Sequence, residues 1–217
     1  MQAAFWTTVG LLCLTAGFGS TQKPQPCSSP PLYTGSMTVG TQDEHLWAVG
    51  RYSYDVVNQR MHLGETGTLN NKTFTYDALM LYQEGILYEI NHHNKTCVKK
   101  PLKADFYPME VPKGAEFVNQ VVIGTLSGPG EGLLVNSWWG DMPDKQSKYF
   151  LSFTEFGCFP VSAFFKSKSL GGMVSVSYYD NVLGVDPGVF VPPPFCKDAK
   201  LEANKDGKET NYFSFFN

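Results

Sequence analysis

Along most of this chain apolar and polar residues alternate with a period of two. In AVGRYSYDV (48–56), Ala48, Tyr52, Tyr54 and Val56 fall on one side, and Val49, Arg51, Ser53 and Asp55 on the other. In VSVSYY (174–179), Val174, Val176 and Tyr178 alternate with Ser175, Ser177 and Tyr179. A strand turns successive side chains to opposite faces, so the pattern predicts half-buried strands. Further short strands are expected at 35–41, 60–67, 73–82, 86–92, 117–126, 132–138, 149–156 and 160–167. Turn chemistry separates them: Gly64, Asn70–Asn71, Glu84–Gly85, SGPGEG at 127–132 and Gly171–Gly172. Helical patterning is weak, with a turn or two expected only near 104–116 or 197–204. The pattern implies an antiparallel all-β domain, a sandwich or an open barrel.

The alternation thickens into an apolar block between 133 and 165. Phe150 and Phe156 fall on one side of their strand, and Tyr149, Leu151 and Phe153 on the other. Bulky apolar residues on both faces require cover on both sides: a second sheet, a partner subunit or a ligand. Trp138 and Trp139 are adjacent, so a regular strand sends them to opposite faces, and one of them should meet a pocket rim, an interface or a bulge. The apolar reading nominates Trp138, Trp139, Phe150, Phe153, Phe156, Phe164 and Tyr178 as candidates to line a hydrophobic pocket.

The ends set the compartment. The run Phe5–Phe18 is apolar, precedes the first charged side chain, Lys23, and is followed by Gly19 and Ser20. It reads as a secretory signal peptide over 1–20, leaving one domain over 21–217. About 195 residues suit a single sizeable core. No later stretch reaches the apolar length of a membrane span. Of five cysteines, Cys13 falls in the leader; Cys27, Cys97, Cys158 and Cys196 remain and predict two disulfides in an oxidising compartment. Four cysteines allow three pairings, and their wide spacing does not suit a paired-cysteine zinc site. The net charge is −3 with no dense basic run, which argues against nucleic acid. Sixteen Phe and eleven Tyr exclude a disordered chain. Tyr212, Phe213, Phe215 and Phe216 in the tail are expected to dock on the domain, because exposed they would be costly.

Candidate chemistry concentrates in NHHNKTC (91–97). Asn94-Lys95-Thr96 is a glycosylation sequon, as is Asn71-Lys72-Thr73, so Asn71 and Asn94 are expected at the surface. His92 and His93 point to opposite sides of a strand and suit a metal poorly. Protonating His45, His62, His92 and His93 would carry the formal charge from −3 to +1, which predicts stronger binding of anionic lipid in acid. Residues 202–209, EANKDGKE, partly mimic a calcium loop, but Phe213 stands where the bidentate Glu belongs. No G-x-S-x-G, H-E-x-x-H or P-loop signature is present.

Several of these stretches together resemble the ependymin family: Cys27 after a Pro-rich lead-in, the strand YSYD at 52–55, the sequon before Cys97, FGCFP at 156–160 and the ending YDNVLGVDPGVFVPPPFC at 179–196. The resemblance implies two stacked, curved antiparallel sheets forming a half-open barrel with a deep hydrophobic pocket, as in carriers of the LolA type. It implies disulfides Cys27–Cys158 and Cys97–Cys196, a homodimer, and a secreted glycoprotein reaching the lysosome lumen. It also implies lipid or fatty-acid-like ligands and a possible role for calcium. The expected function is non-enzymatic lipid binding. A calcium-dependent extracellular adhesion or matrix glycoprotein is the rival, and a hydrolase with a scattered triad ranks last.

Overall fold

The computed structural model describes residues 23–141, 148–167 and 172–202. The expected signal peptide, the aromatic tail and most of the calcium-like loop lie outside these described residues.

The alternating segments become eleven strands: β1 (Leu32–Thr41), β2 (Leu46–Asp55), β3 (Arg60–Leu69), β4 (Lys72–Leu81), β5 (Ile86–Asn91), β6 (Thr96–Pro101), β7 (Glu116–Gly124), β8 (Gly132–Asp141), β9 (Lys148–Thr154), β10 (Pro160–Ser167) and β11 (Gly172–Leu183). They form one large curved antiparallel sheet that does not close, ordered β6-β5-β4-β3-β2-β1-β11-β10-β9-β8-β7. The half-open all-β architecture is as expected, with its strands joined in one continuous sheet. Strand β6 is an addition to the sequence reading. Its run TCVKKP lacks alternation, and its lysines and proline are the chemistry of a sheet edge, where they discourage pairing with another chain. The expected turn of helix within 104–116 is absent. Single 3₁₀ turns occur instead at Pro187–Phe190 and Pro194–Cys196, the first begun by Asp186, whose carboxylate accepts the Gly188 N–H at 2.9 Å.

One face of the sheet is the core. Tyr33, Val39, Leu46, Ala48, Tyr52, Tyr54, Leu63, Ala78, Met80 and Val174 are buried there. The connection from β6 to β7 crosses this face from one sheet edge to the other. Leu102 N–H donates to Gly85 O at 2.8 Å, Phe106 stacks on Tyr54, and the Tyr54 hydroxyl accepts the Met109 N–H at 3.0 Å. Val111 then donates to Cys27 O at 2.9 Å. Residues 102–115 thus supply the cover that a half-barrel needs over its apolar face.

Both disulfides implied by the resemblance are formed. Cys27–Cys158 ties the N-terminal lead-in to the turn after β9, beside Trp138 and Phe153. Cys97–Cys196 ties the second 3₁₀ turn to β6 on the opposite, outer face, beside Leu79, Tyr88, Ile90 and Phe190. On that face Asp55 is fully buried. It accepts from Asn58 N–H at 2.9 Å and from Arg60 Nε–H at 3.0 Å, while the Arg60 guanidinium lies 4.5 Å from the Phe190 ring centre. This buried carboxylate anchors the β2–β3 hairpin and seats the C-terminal segment.

Candidate functional site

A cavity of ≈ 730 Å³ opens on the outer face over β1 to β5 and β11. Its base is a row of directly opposed residues drawn from five strands: Tyr179 faces Ser36, Ser36 faces Arg51, Arg51 faces Gly64, and Gly64 faces Asp77. One pleat along, Val49 faces Thr66 and Thr66 faces Thr75, and all three line the same space. The gap exists because Gly64 has no side chain: a Cβ placed on it would meet nothing within 4 Å. Ile90, Asn91, His92 and His93 form the far wall, brought there by the β5–β6 hairpin.

That wall is held by polar and aromatic contacts. Asp77 accepts from two imidazoles at once, with His62 Nε2 2.8 Å from Oδ1 and His92 Nε2 3.1 Å from Oδ2. The His92 ring also meets the Phe195 ring edge-on, 5.9 Å between centres, and Phe195 adjoins the Cys97–Cys196 bridge. The disulfide, the 3₁₀ turn and the two histidines therefore share one task, positioning the hairpin over the cavity.

Beneath the floor, Glu65 is buried on the core side. Gly50 permits this packing, since a Cβ there would fall 2.6 Å from Glu65 Cγ. Burial, aided by the neighbouring Glu65 charge, pushes the Tyr178 phenol up to about 12. Burial likewise drives Tyr76 well above the ordinary range, with Glu89 and Glu65 adding to it.

The seven nominated aromatics line other surfaces. Trp138 (2% exposed) and Phe153 are buried in the small core around Cys158, where the Trp138 ring meets Phe117 edge-on at 5.3 Å. Tyr178 packs edge-on against Tyr52 in the main core, 5.7 Å between ring centres. Trp139, Phe150 and Phe164 form a cross-strand row on the outer face, with Trp139 40% and Phe164 42% exposed. Lys148 Nζ lies 4.5 Å from the Trp139 ring centre, and the indole N–H donates to Glu116 at 2.8 Å. Phe156 stands in the turn after β9, 81% exposed. The structure thus splits the set between an inner core, an outer row and, for Phe156, an exposed turn, and none of the seven is among the residues lining the cavity.

Sequence reasoning picked out His92 and His93 but gave no site role to Arg51 or Asp77, and it read Gly64 as a turn between strands, whereas Gly64 lies within β3, paired on both sides. The only available signal was a glycine at the centre of a strand pattern, which marks close approach or open space. Asn71 and Asn94 are both exposed at hairpin turns. Among the described residues no group of His, Cys, Asp and Glu is arranged to hold a metal ion, and no helix is long and apolar enough to cross a membrane.

Comparison with known proteins places this geometry in context. The family model described as Ependymin matches residues 70–196. Ependymin-1 of Oncorhynchus mykiss is 33% identical over 99% of this chain and 95% of its own length. Ependymin of Notemigonus crysoleucas is 34% identical over 94% of each chain. Mammalian ependymin-related protein 1 of Mus musculus is 31% identical over 92% of this chain and 88% of its own. Among solved structures, an uncharacterized conserved protein from Thermus thermophilus is similar with a TM-score of 0.49 and 11% identity, covering 78% of this chain and 90% of its own. A LolA superfamily protein from Nitrosomonas europaea has a TM-score of 0.30 and 13% identity, covering 76% and 92%.

Proposed function

The chain belongs to the ependymin family, and on that premise we propose that it is a secreted, non-enzymatic glycoprotein that binds an amphipathic, lipid-like ligand on the outer face of its sheet. The cavity above Gly64 carries this reading. Its ≈ 730 Å³ falls within the range of about 300–1,000 Å³ usual for small-ligand sites. Val49 and Ile90 offer apolar contact for an acyl chain, and the hydroxyls of Ser36, Thr66 and Thr75 offer hydrogen bonds to a headgroup. His92 and His93 at the wall offer ring nitrogens to the same headgroup. The family resemblance extends the reading to a lysosomal destination and a homodimer; immunolocalisation and light scattering test each.

The deciding experiment is organic extraction of protein purified from a secretory host, with lipid identified by mass spectrometry. Co-purifying lipid is expected, and Gly64→Leu should lose it. A leucine adds bulk on the order of 150 Å³, judged by the cavity its deletion leaves in a packed core. Lipid retained in full by Gly64→Leu would move the ligand out of this cavity. A lipid-free protein that hydrolyses an ester panel would overturn the reading.

A further inference from the structure

We propose that the end of the sheet remote from both sequons docks on a phosphatidylcholine membrane, through apolar side chains at the tips of its turns. Antiparallel order sends successive turns to opposite ends of the sheet. Asn71 lies in the β3–β4 turn and Asn94 in the β5–β6 turn, so both sequons stand at one end, together with the β1–β2 turn. The described turns there, 42–45, 70–71 and 92–95, contain no apolar residue. The other end is the reverse. Val57 projects from the β2–β3 turn, Leu183 closes β11, Phe156 sits in the β9–β10 turn and Leu126 in the β7–β8 turn. Leu126 is 85%, Phe156 81%, Leu183 66% and Val57 65% exposed, so most of each side chain is bare to water. Sheet order sets the four in succession along one curved rim, about 10 Å apart by the spacing of strands.

Bare apolar groups gathered on one rim mark an interaction surface. Glycans on Asn71 and Asn94 would crowd the far end and leave this one clear. Polar turn residues separate the four tips, so they make no continuous groove for a peptide. A bilayer yields to each tip independently and accommodates them. Charge selects its headgroup. The turns at this end, 56–59, 82–85, 125–131 and 155–159, hold Glu84, Glu131 and Glu155 and no Lys or Arg. Arg60, beside the first, is paired with the buried Asp55. Lys103 is exposed at the far edge of the rim, one residue past Leu102, whose N–H donates to Gly85 O. Carboxylates repel an anionic surface and attract the trimethylammonium groups that phosphatidylcholine turns outward, and the exposed Phe156 ring offers the same cation its π face. None of the four tips lines the cavity above Gly64, so the surface stands whether or not that cavity holds the ligand.

Flotation of the full chain with dioleoyl phosphatidylcholine vesicles, at neutral pH and physiological salt, tests the proposal. Fully burying a Phe or Leu side chain is worth about tenfold or more in a partition coefficient. Phe156→Ser and Leu126→Ser should therefore each weaken vesicle binding about tenfold, and together about a hundredfold. Trp47→Ser, which removes an exposed indole near the sequon end, should leave binding unchanged. All three side chains are exposed, so these variants should melt with wild type. Phe156→Trp should add fluorescence that brominated phosphatidylcholine quenches, and exchanging phosphatidylcholine for phosphatidylglycerol should weaken binding. Wild type that does not float with phosphatidylcholine, that binds phosphatidylglycerol equally or better, or that keeps its partition in the double variant overturns the proposal. A wild-type dimer that the double variant reduces to monomer, with flotation in neither, also overturns it and gives the rim to a second copy of this chain.

Discussion

Two glycines three residues apart in β3 should respond to substitution in opposite directions. Gly64 and Gly67 face opposite sides of the sheet, and neither requires a positive φ. A Cβ on Gly64 meets nothing within 4 Å, so Gly64→Val places its methyls in open space. Glycine inside a strand is costly because the unfolded chain is so free there, and replacing it is worth about 0.5–1 kcal/mol. A Cβ on Gly67 would lie 2.1 Å from the Trp47 carbonyl oxygen, 2.6 Å from Ala48 Cα and 2.8 Å from Ala48 Cβ. The first two are backbone atoms of β2 and cannot swing aside. Gly67→Ala must therefore push β2 and β3 apart, straining their ladder, and overpacking of this kind costs about 1–3 kcal/mol or more. In a domain of this size each kcal/mol moves Tm by about 2–4 °C. Gly64→Val should raise Tm by about 1–4 °C, and Gly67→Ala should lower it by about 2–12 °C. Calorimetric melting, with urea unfolding followed by tryptophan fluorescence as a second probe, measures both. A Gly67→Ala protein that melts with wild type, or a Gly64→Val protein that melts below Gly67→Ala, would refute the packing described for these two strand positions.

Four other outcomes are expected. Burial alone would raise the Asp55 carboxyl, but hydrogen bonds from Asn58 and Arg60 outweigh it and hold the group below its ordinary value. Its stabilisation is therefore full above the unfolded value of about 3.9 and is lost as pH falls through the folded one; Asp55→Asn should flatten the acid limb of a Tm-against-pH curve, and an unchanged limb would contradict the assignment. Burial pushes Tyr82 and Tyr178 up to about 12 and raises Tyr33 and Tyr76 further, so these phenols stabilise the fold fully below about pH 10, and that contribution is lost as pH rises through the folded values. Ultraviolet titration should find them silent until the protein unfolds in base, and complete phenol ionisation near pH ~10 in folded protein would be incompatible with their burial. Replacing Cys97 and Cys196 together with Ala removes a cross-link between residues 99 apart and should cost about 4–5 kcal/mol in urea unfolding; a loss below about 1 kcal/mol would show that the bridge adds little to the fold. Enzymatic deglycosylation should lower the apparent mass by two glycan units, with Asn71→Gln and Asn94→Gln each removing one, and no shift would mean that these exposed turns are not acceptors.

Alternation by itself determined which side of β2 faces the core. Ala48, Tyr52 and Tyr54 face the core and Val49 and Arg51 face out, because the period of two belongs to the local backbone and needs no partner strand. The same local rule separated Trp138 from Trp139, and turn chemistry put Asn71 and Asn94 at exposed hairpin tips. The disulfide pairing was legible only through resemblance, since spacing leaves three pairings open. Strand β6 escaped because an edge strand of lysines and a proline carries no alternation to read. Only the tertiary structure decided the site. Its base is a row across five strands, and Gly64 becomes a gap only because Arg51 and Asp77 are set on either side of it by β2 and β4. Bulk drew attention to Trp138 and Phe153, yet bulk is what fills a core. The cavity formed where a side chain is missing, and whether a missing side chain leaves open space, as at Gly64, or a tight backbone contact, as at Gly67, depends on neighbours that pairing over long sequence distances brings together.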